Sequence, residues 1–170
     1  MDTVKKVQDL SGIKILVRNL QNQSKTVGYA IGVFDVIHEG HINFLKYAKS
    51  HCNCLVVGLN GDTQVRLSKG KNRPINDIYA RLNIVSGLES VDIVFPMECT
   101  EPTGSAEAIA YEDSIAEQIG PDFIFSGIKA DSGWKRKETQ AKKIGAKFVK
   151  FEADRPNSSS RIISLIEKEL

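Results

Sequence analysis

The stretch TVGYAIGVFDVIHEGHINFLKYAKSH, residues 26–51, decides the fold. Its first part is rich in Val, Ile and aromatic residues, as a strand requires. Its last part carries Ile42, Leu45 and Ala48 at helical spacing. Between them lies HEGH, with His38 and His41 three residues apart. The alternation continues downstream. CLVVGLN (54–60) reads as a strand, 61–74 as a polar loop, and 77–88 as a helix carrying Ile78, Leu82 and Val85. VDIVFPM (91–97) is a third strand, followed by a helix over 105–119 that Gly120-Pro121 should stop. PDFIFSG (121–127), a basic helix to about Gly145, AKFVKFEA (146–153) and a helix from Ser158 complete the series. Such alternation predicts right-handed crossovers between parallel strands. The expected fold is therefore α/β, a Rossmann-like open parallel sheet of about five strands with helices on both faces. Residues 1–25 are polar and weakly periodic, a helical lead-in to a domain over 26–170. In the last helix Ile162, Ile163, Ile166 and Leu170 form one stripe, most simply read as core.

Composition narrows the function classes. The chain has 170 residues, 41% of them hydrophobic and 26% charged, which suits one soluble core built without disulfides. A formal net charge of +2 is too small to make nucleic acid or a membrane the main partner. Cys52, Cys54 and Cys99 have no framework spacing, so free thiols in a reducing compartment are expected. MDTVKKVQDL (1–10) holds no apolar block, so no signal peptide is expected. Nor does any apolar run approach the roughly 18 residues of a membrane span. A cytoplasmic protein follows as the expectation.

The HEGH corner is the chemical signal. In open α/β sheets ligands bind beyond the carboxyl ends of the strands, and a helix start there offers unpaired N–H groups and partial positive charge. Gly40, without a Cβ, would let a ligand approach the backbone. Three readings compete. The histidines cap the helix or add surface polarity; they bind metal; or they grip a phosphate. For metal, His38, His41, His51, Cys52 and Cys54 are close in sequence, but the set fits no ordinary zinc spacing and lacks the i, i+4 pair of HExxH.

GVFDVIHEGH (32–41) resembles the HxGH signature of the nucleotidyltransferase superfamily of cytidylyltransferases and related adenylyltransferases. VVGLNGDTQVRLSKGKNRPI (56–75) is similar to the second strand and lysine-bearing loop of the heptose-1-phosphate adenylyltransferases. YARLNIVSGLESVDIV (79–94) resembles their arginine-bearing helix and next strand, EDSIAEQIGPDFIFSG (112–127) the following helix–strand unit, and NSSSRII (157–163) their C-terminal Ser/Thr signature.

This resemblance implies transfer of a nucleoside monophosphate from ATP or CTP to a sugar or polyol phosphate, with release of pyrophosphate. It makes His38, His41 and Lys69 the catalytic set. It assigns Gly32, Phe34, Asp35, Gly40, Arg81, Gly127, Ser158, Ser159, Ser160 and Arg161 to the nucleotide, with Ser158 also capping its helix. Lys46, Lys71 and Arg73 fall to the acceptor, and Arg73 to support of the lysine loop. Mg²⁺ would be carried on the triphosphate, with no dedicated metal ligands, and a homodimer is common among relatives. The chain departs from the heptose pattern at Ile31-Gly32-Val33 and at SGIKADSGW (126–134), where Asp131 and Trp134 only loosely match the Gly-Asp-Asp-Trp stretch of glycerol-3-phosphate cytidylyltransferases. Trp134 either stacks on a base or packs on the sheet edge. The loop 98–105, longer than the pattern needs, would shape an acceptor pocket or a subunit contact. Two rivals stand beside this reading: a catalytically silent nucleotide-binding regulator, and an RNA-binding module on Lys135, Arg136, Lys137, Lys142 and Lys143. A solvated helix face is the simpler account of the second.

Overall fold

A computed structural model describes residues 6–152 and 157–168. Five strands, β1 (Val27–Gly32), β2 (Cys54–Asn60), β3 (Ile93–Met97), β4 (Phe123–Gly127) and β5 (Lys147–Phe151), form one sheet in the order β3-β2-β1-β4-β5. Every pairing is parallel, with Tyr29 opposite both Val56 and Ile124. The fold is the expected α/β, Rossmann-like one. All seven residues of β2 are buried, as a central parallel strand covered on both faces demands.

Alternation along the strands separates two cores. Val27, Tyr29, Cys54 and Val56 point to one face, where α1 (Leu10–Asn22), α5 (Ala106–Ile119) and α6 (Trp134–Lys143) lie. Ala30, Leu55, Val57 and Leu59 point to the other, beneath α2 (Glu39–Lys49) and α4 (Ile78–Ser86). Side chains mark the helix starts: Asp9 accepts from the Gly12 amide at 2.7 Å and Asp77 from the Ala80 amide at 2.8 Å. Gly120, at φ +61°, ends α5 where the Gly-Pro pair predicted a stop.

Two segments depart from the sequence reading. The stretch after β2 is not all loop, because Asp62–Lys69 forms helix α3. It buries only Gln64 and Val65, so no apolar periodicity announces it. The last helix, α7 (Ser159–Glu167), does not place its stripe in a core: Ile162 and Ile163 are half-buried, and Ile166 is 55% exposed. Leu170 and Ala153, also assigned above, lie outside the described residues, as do Met1–Lys5 of the lead-in.

The lead-in itself is tied to the sheet. The Val94 amide donates to the Lys6 carbonyl at 2.8 Å and the Gln8 amide to the Val94 carbonyl at 3.1 Å, so this segment lies along β3. Ile13 and Val17 of α1 are fully buried. Ile13→Val should therefore destabilise the whole domain by about 0.5–1.5 kcal/mol, read as a lower urea midpoint with unchanged slope. Among the described residues, no helix is long and apolar enough to cross a membrane.

Candidate active site

The chain leaves β1 into α2 on one face of the sheet and leaves β4 into α6 on the other. This switch point opens a cleft of about 470 Å³ at the strands' carboxyl ends. Of the sequence-predicted residues, the structure gathers Gly32, Phe34, Asp35, His38, Gly40, His41, Lys69, Gly127 and Ser159 around it.

The histidine corner is built by local geometry. His38 is the N-cap of α2, and its Nδ1 accepts from the Gly40 amide at 3.1 Å. With Nδ1 an acceptor, a neutral His38 ring carries its proton on Nε2. Capping therefore uses one nitrogen of this ring, Nδ1. The i, i+3 spacing brings the rings of His38 and His41 together, tilted by 33° with centroids 4.0 Å apart. Phe34 backs His41 at 5.1 Å and reaches this position through a left-handed backbone, φ +48°. The two glycines serve these rings. A Cβ at Gly32 would lie 2.7 Å from Phe34 Cε2, and one at Gly40 3.0 Å from His38 Cε1. The close approaches expected for a ligand are thus made by aromatic neighbours of the same corner.

Lys69 is the last residue of α3, exposed at the cleft, and Gly70 at φ +101° ends the helix. Ser68, beside it, donates to Thr103 Oγ1 at 3.0 Å and accepts from the Thr103 amide at 2.8 Å. The long loop 98–105 thereby supplies a wall of the cleft. Ser158 caps α7 by accepting from the Arg161 amide at 3.2 Å, and Ser159 donates to the Val36 carbonyl at 2.9 Å. Ser160 and Arg161 are exposed, and neither lines the cleft.

Other assignments change. Arg81, expected on a phosphate, is fully buried behind the cleft on the inward face of α4. Its Nε donates to the Asn76 carbonyl at 3.1 Å, Nη1 to the Val33 carbonyl at 2.7 Å and Nη2 to Asp62 Oδ1 at 2.6 Å. A guanidinium so enclosed must keep its donors paired, and the chain itself pairs them. Asp35 reaches the cleft, but its carboxylate accepts from Arg73 Nε and the Ile75 amide, both at 2.9 Å, and from the Asn76 amide at 2.8 Å. Arg73 therefore supports the lysine segment instead of facing an acceptor. Lys46 and Lys71 are exposed and do not line the cleft, Lys46 because it lies more than a helical turn beyond His41.

The wall opposite the histidines was not legible. Ser126 Oγ and Lys137 Nζ each donate to Asp131 Oδ2 at 2.7 Å, and the Gly133 amide donates to Oδ1 at 2.9 Å. Burial would raise the Asp131 pKa, but Lys137 and these hydrogen bonds outweigh it and hold the carboxyl below its usual range. Glu112 behaves oppositely: burial pushes its pKa up, and Lys137 and the paired Arg136 offset this only in part. Arg136 also pairs with Asp113 and Lys143 with Glu117, at 2.6 and 2.7 Å. The basic helix is thus substantially neutralised by its own chain. Trp134 stacks on Phe148 of β5, with Lys150 Nζ 4.6 Å from its ring centre, and so packs on the sheet outside the cleft. The cysteines are free thiols; burial pushes Cys52 up to about 11 and Cys54 up to about 12.

A family model described as cytidylyltransferase-like matches residues 29–165, the span that builds this cleft. The chain belongs to the cytidylyltransferase-like family. That membership makes it a nucleotidyltransferase domain. The bifunctional protein HldE of Mesorhizobium japonicum is 38% identical over 103 residues, 61% of this chain and 21% of that protein. HldE of Sulfurimonas denitrificans is 35% identical over 121 residues, 71% of this chain and 23% of its own length. This cytidylyltransferase-like chain thus spans about a fifth of the curated relatives it matches. Among solved structures, a lipopolysaccharide core biosynthesis protein from Thermoplasma volcanium aligns with TM-score 0.58 and 27% identity, covering 77% of this chain and 99% of that one. A pantoate-β-alanine ligase from Francisella tularensis aligns with TM-score 0.68 over 95% of this chain and 73% of its own, at 17% identity, a likeness of fold alone.

Proposed function

We propose that this domain transfers an adenylyl group from ATP to a heptose 1-phosphate. The observation that carries the reading is the gathering of His38, His41, Lys69 and Ser159, from three separate helix ends, at one cleft beside the N-terminus of α2. The similarity to HldE proteins and to a lipopolysaccharide core biosynthesis protein supports the choice of sugar. An unesterified oxygen of the sugar phosphate bonds to the α-phosphorus. The bond from that phosphorus to the α,β-bridging oxygen breaks, and its electron pair leaves with pyrophosphate. A phosphate monoester has its second pKa near about 6, so it needs no general base at neutral pH. The protein's task is alignment and charge stabilisation. In this reading the two imidazoles donate to the triphosphate as charge gathers on the departing pyrophosphate. Lys69 covers the α-phosphate, the first-turn amides of α7 at Ser159 meet the β,γ-phosphates while its hydroxyl stays on the Val36 carbonyl, and Gly127 borders the nucleoside. Among the described residues no group of three His, Cys, Asp or Glu could hold a metal ion. In this proposal Mg²⁺ comes with the nucleotide, held by phosphate oxygens and water, and neutralises part of their charge.

The test is pyrophosphate release by the purified chain, with ATP, CTP, GTP and UTP each offered against heptose 1-phosphate, glycerol 3-phosphate and other sugar phosphates. ATP with heptose 1-phosphate should be the fastest pair. Silence across the panel, with nucleotide binding retained, would favour the regulator.

A further inference from the structure

The segment 66–72, with Lys69 at its middle, is exposed throughout; Ser68 ties it to Thr103, and the chain on both sides of it is anchored. On one side, Asp62 at the start of α3 accepts from Arg81 Nη2 at 2.6 Å. On the other, Arg73 pairs with Asp35, and the Asn76 carbonyl accepts from Arg81 Nε at 3.1 Å. The same guanidinium donates to the Val33 carbonyl at 2.7 Å, five residues before His38. Arg81 and Asp35 thus join the two anchored ends to the strand end that launches the histidine corner. We propose that Arg81 is a positioning residue: without touching the nucleotide, it holds the lysine arch in register with His38 and His41, so that Lys69 closes over the same point at which the imidazoles converge.

The three acceptors of Arg81 belong to three different segments, and its planar fork reaches each with a different nitrogen. A lysine has one nitrogen and cannot span them. Arg81→Lys keeps the charge and loses the geometry. Asp62→Ala, at a partly exposed position, releases one end of the arch only and serves if Arg81→Lys does not fold.

The inference rests on the proposed transfer reaction, and the experiment separates the two. Each variant is compared with the parent for kcat, for the Kd of Mg²⁺–ATP without acceptor, and again in a Lys69→Ala background. Because displacement of a catalytic group by about 1 Å can cost on the order of a hundredfold, kcat should fall by roughly 10- to 100-fold in a folded variant. The ATP Kd should stay within about threefold, since no ground-state contact is removed. In the Lys69→Ala background the second change should lower kcat by no more than about threefold, as expected for residues acting as one unit. An ATP Kd that weakens as much as kcat falls would make Arg81 a phosphate contact and overturn the proposal, as would full additivity or an unchanged kcat. If the parent turns over no substrate pair, the reaction assignment fails, and amide hydrogen exchange decides the anchoring. Asp62→Ala should speed exchange at 65–70 by about tenfold or more; an unchanged rate there would end the idea.

Discussion

Replacing His41 by alanine is expected to lower kcat for pyrophosphate release by about a hundredfold or more, on the scale of removing one preorganised donor. The loss should appear with the protein still folded. His41 is not the cap of α2, so its removal leaves the His38–Gly40 hydrogen bond in place. Its ring lies between Phe34 and His38, at 5.1 and 4.0 Å, and the left-handed Phe34 backbone fixes that placement before any ligand arrives. His38→Ala is the useful contrast. It should impair turnover and also remove a helix cap, adding about 1 kcal/mol of lost stability. Steady-state kinetics paired with thermal melts separate the two. A His41→Ala protein with parental kcat would remove the histidines from the chemistry.

Replacing Asp35 by alanine should lower stability by about 3–5 kcal/mol. The carboxylate is 2% exposed and accepts from Arg73 and from the Ile75 and Asn76 amides. Its removal leaves a largely buried guanidinium without its counter-ion, and two amides without an acceptor. Against a typical domain stability of about 5–15 kcal/mol, the loss brings the protein close to unfolding. Guanidinium-chloride melts followed by circular dichroism measure it. A loss below about 1 kcal/mol would mean that water substitutes for the carboxylate.

The strands were legible because a parallel sheet buried on both faces writes itself as short apolar runs, and each predicted run contains its strand. What a helix faces was harder to read. Ile78, Leu82 and Val85 predict α4 correctly, yet their spacing does not reveal that the Arg81 guanidinium points inward to Val33 and Asp62. The stripe on α7 announces an amphipathic helix without saying what covers it, and Ile166 is left exposed. Helix α3 escaped because its buried contacts are one valine and one glutamine. The Glu112–Arg136 and Asp131–Lys137 wall escaped for a topological reason: it forms only when α5 and the β4–α6 corner meet on one face. The histidine corner was readable since its geometry is local, an i, i+3 pair at a helix start.

The hydrogen bond from Ser159 to the Val36 carbonyl joins positions 123 residues apart. Its consequence appears during synthesis. A nascent chain that has emerged through β5 already holds all five strands of the described residues, both imidazoles and the arch lysine. It still lacks the serine that closes the rim beside them. The rim is therefore completed only after the five strands of this sheet have been made, so a chain broken before α7 would keep the sheet and lose this tie across the mouth of the cleft.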